Sequence, residues 1–133
     1  MTASPEAIAL AIAAAEAASD KLAEDIVAID VSEKLVITDV FVLCSAGNER
    51  QVKAVVDGVE ERLHGMGSKP LRREGEREGR WVLLDFGDIV VHLQLAEERI
   101  HYPIERLWKD CPFIALPEAV NQGRRRPDDR AGE

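Results

Sequence analysis

The sequence lacks most features that mark secreted and membrane proteins. Its 133 residues contain two cysteines, Cys44 and Cys111, which lie far apart and form neither a C-x-x-C motif nor a disulfide framework. Such thin cysteine usage suits a reducing compartment, so we expect a cytoplasmic protein. The apolar run 7–15 follows Glu6 instead of a basic residue and is far shorter than the roughly 20 residues that span a bilayer. We therefore expect neither secretion nor membrane insertion.

Basic residues are also scarce. The chain has 17 Lys and Arg residues against 25 Asp and Glu residues, which gives a formal net charge of −8. Proteins that hold nucleic acid by neutralising phosphates need clustered Lys and Arg. Nucleic acid is therefore not the main partner that we expect, and any action near nucleic acid would be mediated by another protein.

Motifs for cofactors are absent as well. The glycines form neither a phosphate-binding loop nor a G-x-G-x-x-G pattern, and the histidines show no metal-ligand spacing. One pair of carboxylates, Asp85 and Asp88, flanks Phe86 and Gly87 and leaves a rival hypothesis, a metal-dependent nucleotidyltransferase, because two carboxylates can hold Mg²⁺. Ligands on one strand face need a spacing of two, however, and Asp favours turns. We prefer the turn, and we predict no cofactor and no metal.

Aromatic residues make up only 5% of the chain, and their positions are informative. Both tryptophans and the only tyrosine lie between Trp81 and Trp108, and Trp, Tyr and Arg dominate binding hot spots. A helix is predicted at the end of this segment, and we expect its Ile104 and Leu107 side chains to point into the protein core. The segment 81–108 is therefore the first candidate for a working surface.

Hydrophobic periodicity and turn signals predict an alternation of helices and strands. Ser4 and Pro5 mark the start of a first helix that runs to about Ala23, and its apolar stripe is Ile8, Ile12, Ala15, Ser19 and Leu22. The other predicted elements are strands at Asp25–Val31 and Asp39–Cys44, a helix after Asn48 with a buried stripe reaching Met66, a strand near Lys69–Glu74, a hairpin of Trp81–Phe86 and Asp88–Leu95, and a helix at Ile104–Lys109.

This order predicts a single α/β domain, with a mixed sheet of about five strands flanked by helices. We place the domain at residues 1–112. The polar end of the chain, which includes Arg124, Arg125 and Arg126 and has no apolar face, predicts a flexible tail over residues 113–133.

Several motifs resemble those of one known family. They are the run from Asp39 to Ser45, Arg50-Gln51-Val52, Glu74-Gly75, Trp81-Val-Leu-Leu-Asp-Phe-Gly-Asp-Ile-Val-Val-His92 and Tyr102-Pro-Ile-Glu-Arg-Leu-Trp108. In this order they resemble the ribosomal silencing factor family, also called Iojap, over about residues 6–110. The chain departs from the family at Phe86 and Val40, where relatives usually have tyrosine.

The resemblance implies a sheet like that of the nucleotidyltransferase superfamily without its catalytic signature. It also implies a translation repressor, not an enzyme, that binds protein number fourteen of the large ribosomal subunit and sterically blocks joining of the small subunit. An assembly factor for the large subunit would share the surface but not the occlusion. A homodimer through the same surface is left open.

The resemblance also supplies candidate residues for the partner-binding surface. Its motif positions in this chain are Trp81, Asp85, His92, Arg99, Tyr102, Glu105, Leu107 and Trp108. Weaker candidates from the same motifs are Asp39, Phe41, Arg50 and Gln51. Which of them contact the partner and which only build the surface is not decided by the sequence. A buried side chain held by a hydrogen bond is the commonest fate of a histidine such as His92.

Overall fold

The computed structural model describes residues 2–121, which form a mixed sheet with helices on both faces. The elements in chain order are α1 (Pro5–Asp20), β1 (Glu24–Asp30), β2 (Val40–Ala46), α2 (Glu49–His64), β3 (Arg72–Glu74), β4 (Trp81–Asp85), β5 (Ile89–Leu95), α3 (Ala96–His101), α4 (Ile104–Leu107) and β6 (Phe113–Ile114). Across the sheet the order is β3-β4-β5-β2-β1-β6. Only the pairing of β2 with β5 is parallel. The predicted α/β class is confirmed, with six strands where we expected about five.

Helix α1 begins where the sequence predicts but buries a different set of side chains. The Ser4 hydroxyl accepts a hydrogen bond from the Ala7 N–H at 3.1 Å, and the helix ends at Asp20, earlier than expected. Of the predicted stripe only Ala15 is buried, while Ile8, Ile12 and Ser19 are half-buried and Leu22 is exposed. The residues that α1 buries are all alanines: Ala7, Ala11, Ala13, Ala14, Ala15, Ala17 and Ala18. Alanine leaves room for α1 to pack closely on α2 and the sheet, so size decided the face more than hydrophobicity did.

Helix α2 begins after Asn48, as predicted, and buries a stripe that stops short of Met66. The Asn48 side chain accepts from the Gln51 N–H at 2.8 Å, while the Gln51 amide oxygen accepts from the N–H of Gly47. The buried residues are Val52, Val55, Val56, Val59 and Leu63. Met66 was expected on this stripe but is exposed, because the helix ends at His64 and the chain turns away through Gly67, whose φ is +83°.

Strands β4 and β5 form the predicted hairpin. The turn depends on Gly87, which has a φ of +90°, a conformation that other residues adopt only under strain. Gly75, in the loop before β4, is similarly constrained: its φ is +80°, and a Cβ there would lie 1.9 Å from the Trp81 carbonyl oxygen. These glycines allow the loops at the two ends of β4 to fold tightly against it.

The two faces of the sheet differ in what covers them. We call the side under α1 and α2 the helix face; it is filled by small and aliphatic side chains such as Val42 and Leu93. We call the opposite side the aromatic face. Its buried cluster is Val27, Ile29, Val31, Phe41, Leu43, Val90, Ile104 and Cys111, with Leu35, Trp81, Leu83 and Trp108 half-buried against it. The aromatic face is covered by the segment with the short helices α3 and α4 and by Leu35 from the loop between β1 and β2, and its half-buried members leave part of this face in contact with solvent.

The segment after residue 112 continues into the sheet. Phe113–Ile114 forms β6 and pairs with β1, and the Asn121 side-chain amide exchanges two hydrogen bonds with the Ile26 backbone at 3.0 and 2.8 Å. The expectation of a tail therefore does not hold for residues 113–121. The rest of the expected tail, 122–133, lies outside the described residues. Among residues 2–121, no helix has the length and apolarity to cross a membrane.

Candidate protein-docking surface

The segment after β5 is built from two short helices instead of the single helix that we predicted. Helix α3 stops at His101, and Tyr102 adopts φ −128° and ψ 71° before Pro103. Proline disfavours helical geometry in the residue before it and has no N–H to continue the helix. The break turns Tyr102 outward, with 56% of its surface exposed. One consequence contradicts our expectation: Ile104 is buried, but Leu107 is 82% exposed.

The aromatic side chains form one continuous row across β2, β5 and β4. The Trp108 and Phe41 ring centroids lie 5.1 Å apart, and those of Phe41 and His92 lie 4.9 Å apart, both edge to face. The row continues from His92 to Trp81 at 6.5 Å and from Trp81 to Tyr102 at 5.7 Å. Phe41 is buried in the row, so it builds the surface, and exposure rises toward Tyr102.

His92 lies inside this row and is held in its neutral form. The Trp81 indole N–H donates to Nδ1 of His92 at 3.4 Å, while Nε2 has no hydrogen-bond partner among the described residues. Burial lowers the pKa of His92 to about 4, since the charged imidazolium is disfavoured away from water. A buried histidine held by a hydrogen bond, the fate that the sequence favoured, is therefore what the structure shows.

Arg99 and Glu105 link the two short helices. The Arg99 side chain is buried, and its Nε and Nη2 donate to one carboxylate oxygen of Glu105 at 3.1 and 2.8 Å. Both residues were candidates for partner contact. Their charges are instead directed at each other, so this ion pair holds α3 and α4 together behind the exposed side chains.

Of the two carboxylates that suggested metal chemistry, that of Asp85 serves the hairpin turn. The Asp85 side chain accepts from the Gly87 N–H at 2.8 Å, and its other oxygen lies 3.8 Å from Nη2 of Arg72. The backbone carbonyl of Asp88 accepts from the N–H groups of Asp39 and Val40 at 3.0 and 3.4 Å. Within residues 2–121 no cluster of three or more His, Cys, Asp or Glu side chains is arranged to hold a metal. The hydrogen bond from Gly87 to Asp85 fits the turn interpretation.

Three of the weaker candidates, Asp39, Arg50 and Gln51, lie apart from the aromatic row, whereas Phe41 is part of it. The Asp39 carboxylate accepts from the Ser4 N–H at 2.9 Å and so anchors the start of α1. Both polar atoms of the Gln51 side chain form hydrogen bonds: its oxygen accepts from the Gly47 N–H, and its nitrogen donates to the Leu22 carbonyl at 2.8 Å. Arg50 is exposed on the first turn of α2. Asp39 and Gln51 therefore have structural roles that explain why these residue types occur there.

A shallow cleft of about 290 Å³ lies at the exposed end of the row. Its lining includes Trp81 and Tyr102 from the row, the buried Ile104 and the exposed Leu107, with His101, Pro103 and Arg106 beside them. We call Trp81, Tyr102, Ile104 and Leu107 the docking patch. Sequence reasoning overlooked one residue behind it, Gln94, which is 2% exposed and whose amide donates to the Tyr102 carbonyl at 3.2 Å. The available signal was a lone amide within an apolar strand.

Comparison with known proteins places the chain in a family. The family model described as "Ribosomal silencing factor during starvation" matches residues 4–133. The chain belongs to the ribosomal silencing factor family. It is 40% identical to the ribosomal silencing factor RsfS of Bacillus subtilis over 109 residues, which cover 82% of this chain and 92% of that protein. It is also 30% identical to the chloroplastic protein Iojap of maize, over 84% of this chain and 49% of that one.

Two solved structures share the fold of this ribosomal silencing factor family member. A crystal structure of a Chromobacterium violaceum protein matches with a TM-score of 0.73 and 35% identity, over 76% of this chain and 84% of that one. A Bacillus halodurans crystal structure matches with a TM-score of 0.70 and 34% identity, over 85% of this chain and all of that one. Membership in the family supports a ribosome-associated role in silencing translation, and the family is named for that role, not for an enzymatic activity.

Proposed function

We propose that this protein represses translation by binding protein number fourteen of the large ribosomal subunit through the docking patch. Bound there, it would sterically prevent the small subunit from joining. Occlusion of this kind needs a stable interface and no catalytic residue. The observation that carries the proposal is the exposed, aromatic end of the row on the aromatic face, in a chain that belongs to the ribosomal silencing factor family.

The composition of the patch supports a protein partner. Tyr102 and Leu107 are both largely exposed, although exposure of large apolar side chains side by side is unfavourable unless they are buried in a complex. The half-buried Trp81 lies next to them. Large aromatic side chains that are already held in place lose little conformational entropy on binding, which makes them good anchors.

Charge supports the same class of partner. The net charge of −8 favours encounter with a basic surface, such as that of a ribosomal protein, and disfavours direct contact with RNA phosphates. The apolar patch would supply affinity, and the net negative charge of the chain would speed association. Raising the salt concentration should therefore slow association more than it speeds dissociation.

The direct test is co-sedimentation. We expect purified protein to sediment with isolated large subunits and not with joined ribosomes, and to reduce joining when it is added before the small subunit. Equal recovery with both particles would contradict the proposal. Binding to large subunits without any effect on joining would instead favour a role in their assembly.

A matched pair of aromatic variants locates the interface. Tyr102→Ala should abolish most co-sedimentation, because it removes the exposed anchor of the patch. Phe113→Ala is the control, since Phe113 is also an exposed aromatic residue, at 48%, but lies in β6 at the edge of the sheet. Equal loss in the two variants would show that the patch is not the contact.

Self-association through the same patch is the competing occupant. A homodimer would bury Tyr102 and Leu107 and would have to dissociate before the ribosome could bind. Sedimentation equilibrium of the wild type and of Tyr102→Ala distinguishes the two: a dimer that this variant disrupts would place a second copy on the patch.

A further inference from the structure

We infer that Gln94 is a positioning residue for the docking patch. Its side-chain amide holds the backbone of Tyr102 and thereby sets the Tyr102 ring against Trp81. The inference rests on the proposed function, because it assumes that the patch binds a protein. Gln94 itself need not touch that partner.

Gln94 is a polar residue in an otherwise largely apolar, buried strand. It lies in β5 between Leu93 and Leu95 and is 2% exposed, in a strand whose residues are all buried. An amide is unfavourable in such surroundings unless its hydrogen bonds are made. An aliphatic residue would fill the same position without that requirement, so a specific hydrogen bond is the physical reason for an amide here.

The hydrogen bond leads directly to the patch. Gln94 pairs with Trp81 in the antiparallel register of β4 and β5, so both side chains lie on the aromatic face. The Gln94 Nε2 donates to the Tyr102 carbonyl at 3.2 Å, and the Tyr102 ring centroid lies 5.7 Å from that of Trp81. The Gln94 amide therefore connects β5, which pairs with the strand of Trp81, to Tyr102, whose ring packs on Trp81.

This connection matters because the structure gives Tyr102 few other contacts: its N–H donates to the Glu98 carbonyl at 2.8 Å within α3, and its ring packs on Trp81. Helix α3 has six residues and α4 has four, lengths at which isolated helices are not stable. The Tyr102 ring is more than half exposed, so burial does not hold it, and Pro103 offers no N–H to the turn. The Arg99–Glu105 ion pair joins the two helices to each other, whereas the Gln94 amide joins the turn between them to the sheet.

The test compares Gln94→Met with Ser45→Ala. Methionine keeps the length and volume of glutamine and loses only the hydrogen-bonding amide. Ser45 is also buried, pairs with Gln94 across β2 and β5, and donates its hydroxyl to the Glu24 carbonyl at 3.2 Å, away from the patch. We expect Gln94→Met to bind the isolated ribosomal protein about fivefold more weakly, the effect of one neutral hydrogen bond. Ser45→Ala should bind like the wild type.

A second readout does not need the partner. In a Trp108→Phe background Trp81 is the sole tryptophan, so its fluorescence reports how well Tyr102 covers it. We expect Gln94→Met to shift the emission to longer wavelength and increase quenching by acrylamide, in the direction of Tyr102→Ala measured in the same background. Ser45→Ala should leave the emission unchanged. A purely structural role for Gln94 would lower the melting temperature without this change.

The outcomes separate the two proposals. If the wild type fails to bind the ribosomal protein, the proposed function is wrong, whatever the fluorescence shows. Wild-type binding or wild-type emission in Gln94→Met would overturn the role of Gln94, as would an equal emission change in Ser45→Ala. If Gln94→Met does not fold, Gln94→Asn replaces it, because the shorter side chain keeps an amide but falls short of the Tyr102 carbonyl.

Discussion

The two faces of the sheet are made from alternate residues of the same strands, yet they differ in packing. On the helix face, α1 and α2 cover the sheet with alanine and valine, and side chains such as Leu93 are almost completely buried. On the aromatic face, the row that starts at Trp108 ends at Tyr102, which is more than half exposed. The helix face is covered by the protein's own helices, whereas the aromatic face leaves an apolar patch exposed at one end.

This difference shows where stability and binding are located. A long helix such as α2 can be held by its own valine stripe, and substitutions beneath it should act on folding alone. The short helices α3 and α4 have no comparable stripe and depend on specific polar contacts, among them the Arg99–Glu105 pair, the Arg80–Glu98 pair and the Gln94 amide. Substitutions there should act on the shape of the patch more than on the stability of the sheet.

The largest expected effect is on the helix face. Leu93→Ala should lower the free energy of unfolding by about 2–5 kcal/mol, because it leaves a cavity in the buried cluster under the helices. Urea denaturation measures the loss. Leu83→Ala is the matched variant on the aromatic face, where Leu83 is only half-buried, and it should cost clearly less. Equal losses would remove the contrast between the faces.

The next effect concerns the pH dependence of stability. Burial lowers the pKa of His92 to about 4 in the folded protein, while an unfolded histidine titrates near 6.5. Between these values the unfolded chain binds a proton that the folded chain does not, so stability is complete above about pH 6.5 and falls as the pH decreases toward 4. The expected loss is up to about 3 kcal/mol.

Urea denaturation from pH 7 to pH 4.5 tests the role of His92 in this loss. His92→Gln should flatten the slope across that range. His64→Gln, which changes an exposed histidine at the end of α2, should leave the slope as in the wild type. An unchanged slope in His92→Gln would show that other groups cause the acid sensitivity.

A smaller effect separates the two ends of the aromatic row. Tyr102→Ala should weaken binding to the ribosomal protein by about 2 kcal/mol with little change in melting temperature. Trp108→Ala should lower the melting temperature as well, because Trp108 packs edge to face on the buried Phe41. Calorimetry of both binding and unfolding makes the comparison. A large stability loss in Tyr102→Ala would assign that residue to the core instead.

The smallest expected effect is at Leu107. Leu107→Ser should change the free energy of unfolding by less than about 0.5 kcal/mol and weaken binding by about 1 kcal/mol. Ile37→Ser is a close control, since Ile37 is 81% exposed and lies in the loop between β1 and β2. Isothermal titration of the ribosomal protein with each variant would distinguish them. Equal weakening in both would extend the interface well beyond the patch.

Local sequence signals predicted those parts of the fold that depend on neighbouring residues. The Ser4 and Asn48 caps, the turn at Gly87 and the valine stripe of α2 are each set by residues within a few positions of one another. Predictions failed where distant segments decide. The prediction of which side of α1 is buried failed because α1 lies so close to α2 and the sheet that alanine fits there better than isoleucine.

The candidate site divides in the same way. The sequence pointed to the segment 81–108, and the structure does bring Trp81, His92, Tyr102 and Trp108 into one row. Which of its members are exposed could not be read from periodicity. Pro103 interrupts the helix, so Ile104 is buried and Leu107 exposed although the two are one turn apart.

The sequence by itself determined the family, the order of helices and strands, and the concentration of aromatic residues near the end of the chain. These depend on residue identity and short spacing, which are present in the unfolded chain. Tertiary structure alone decided that Arg99 is paired with Glu105, that Asp39 anchors α1, and that the Gln94 amide reaches Tyr102. Each of these contacts joins two elements of the fold, so the partner of each side chain exists only once the sheet and its helices have assembled.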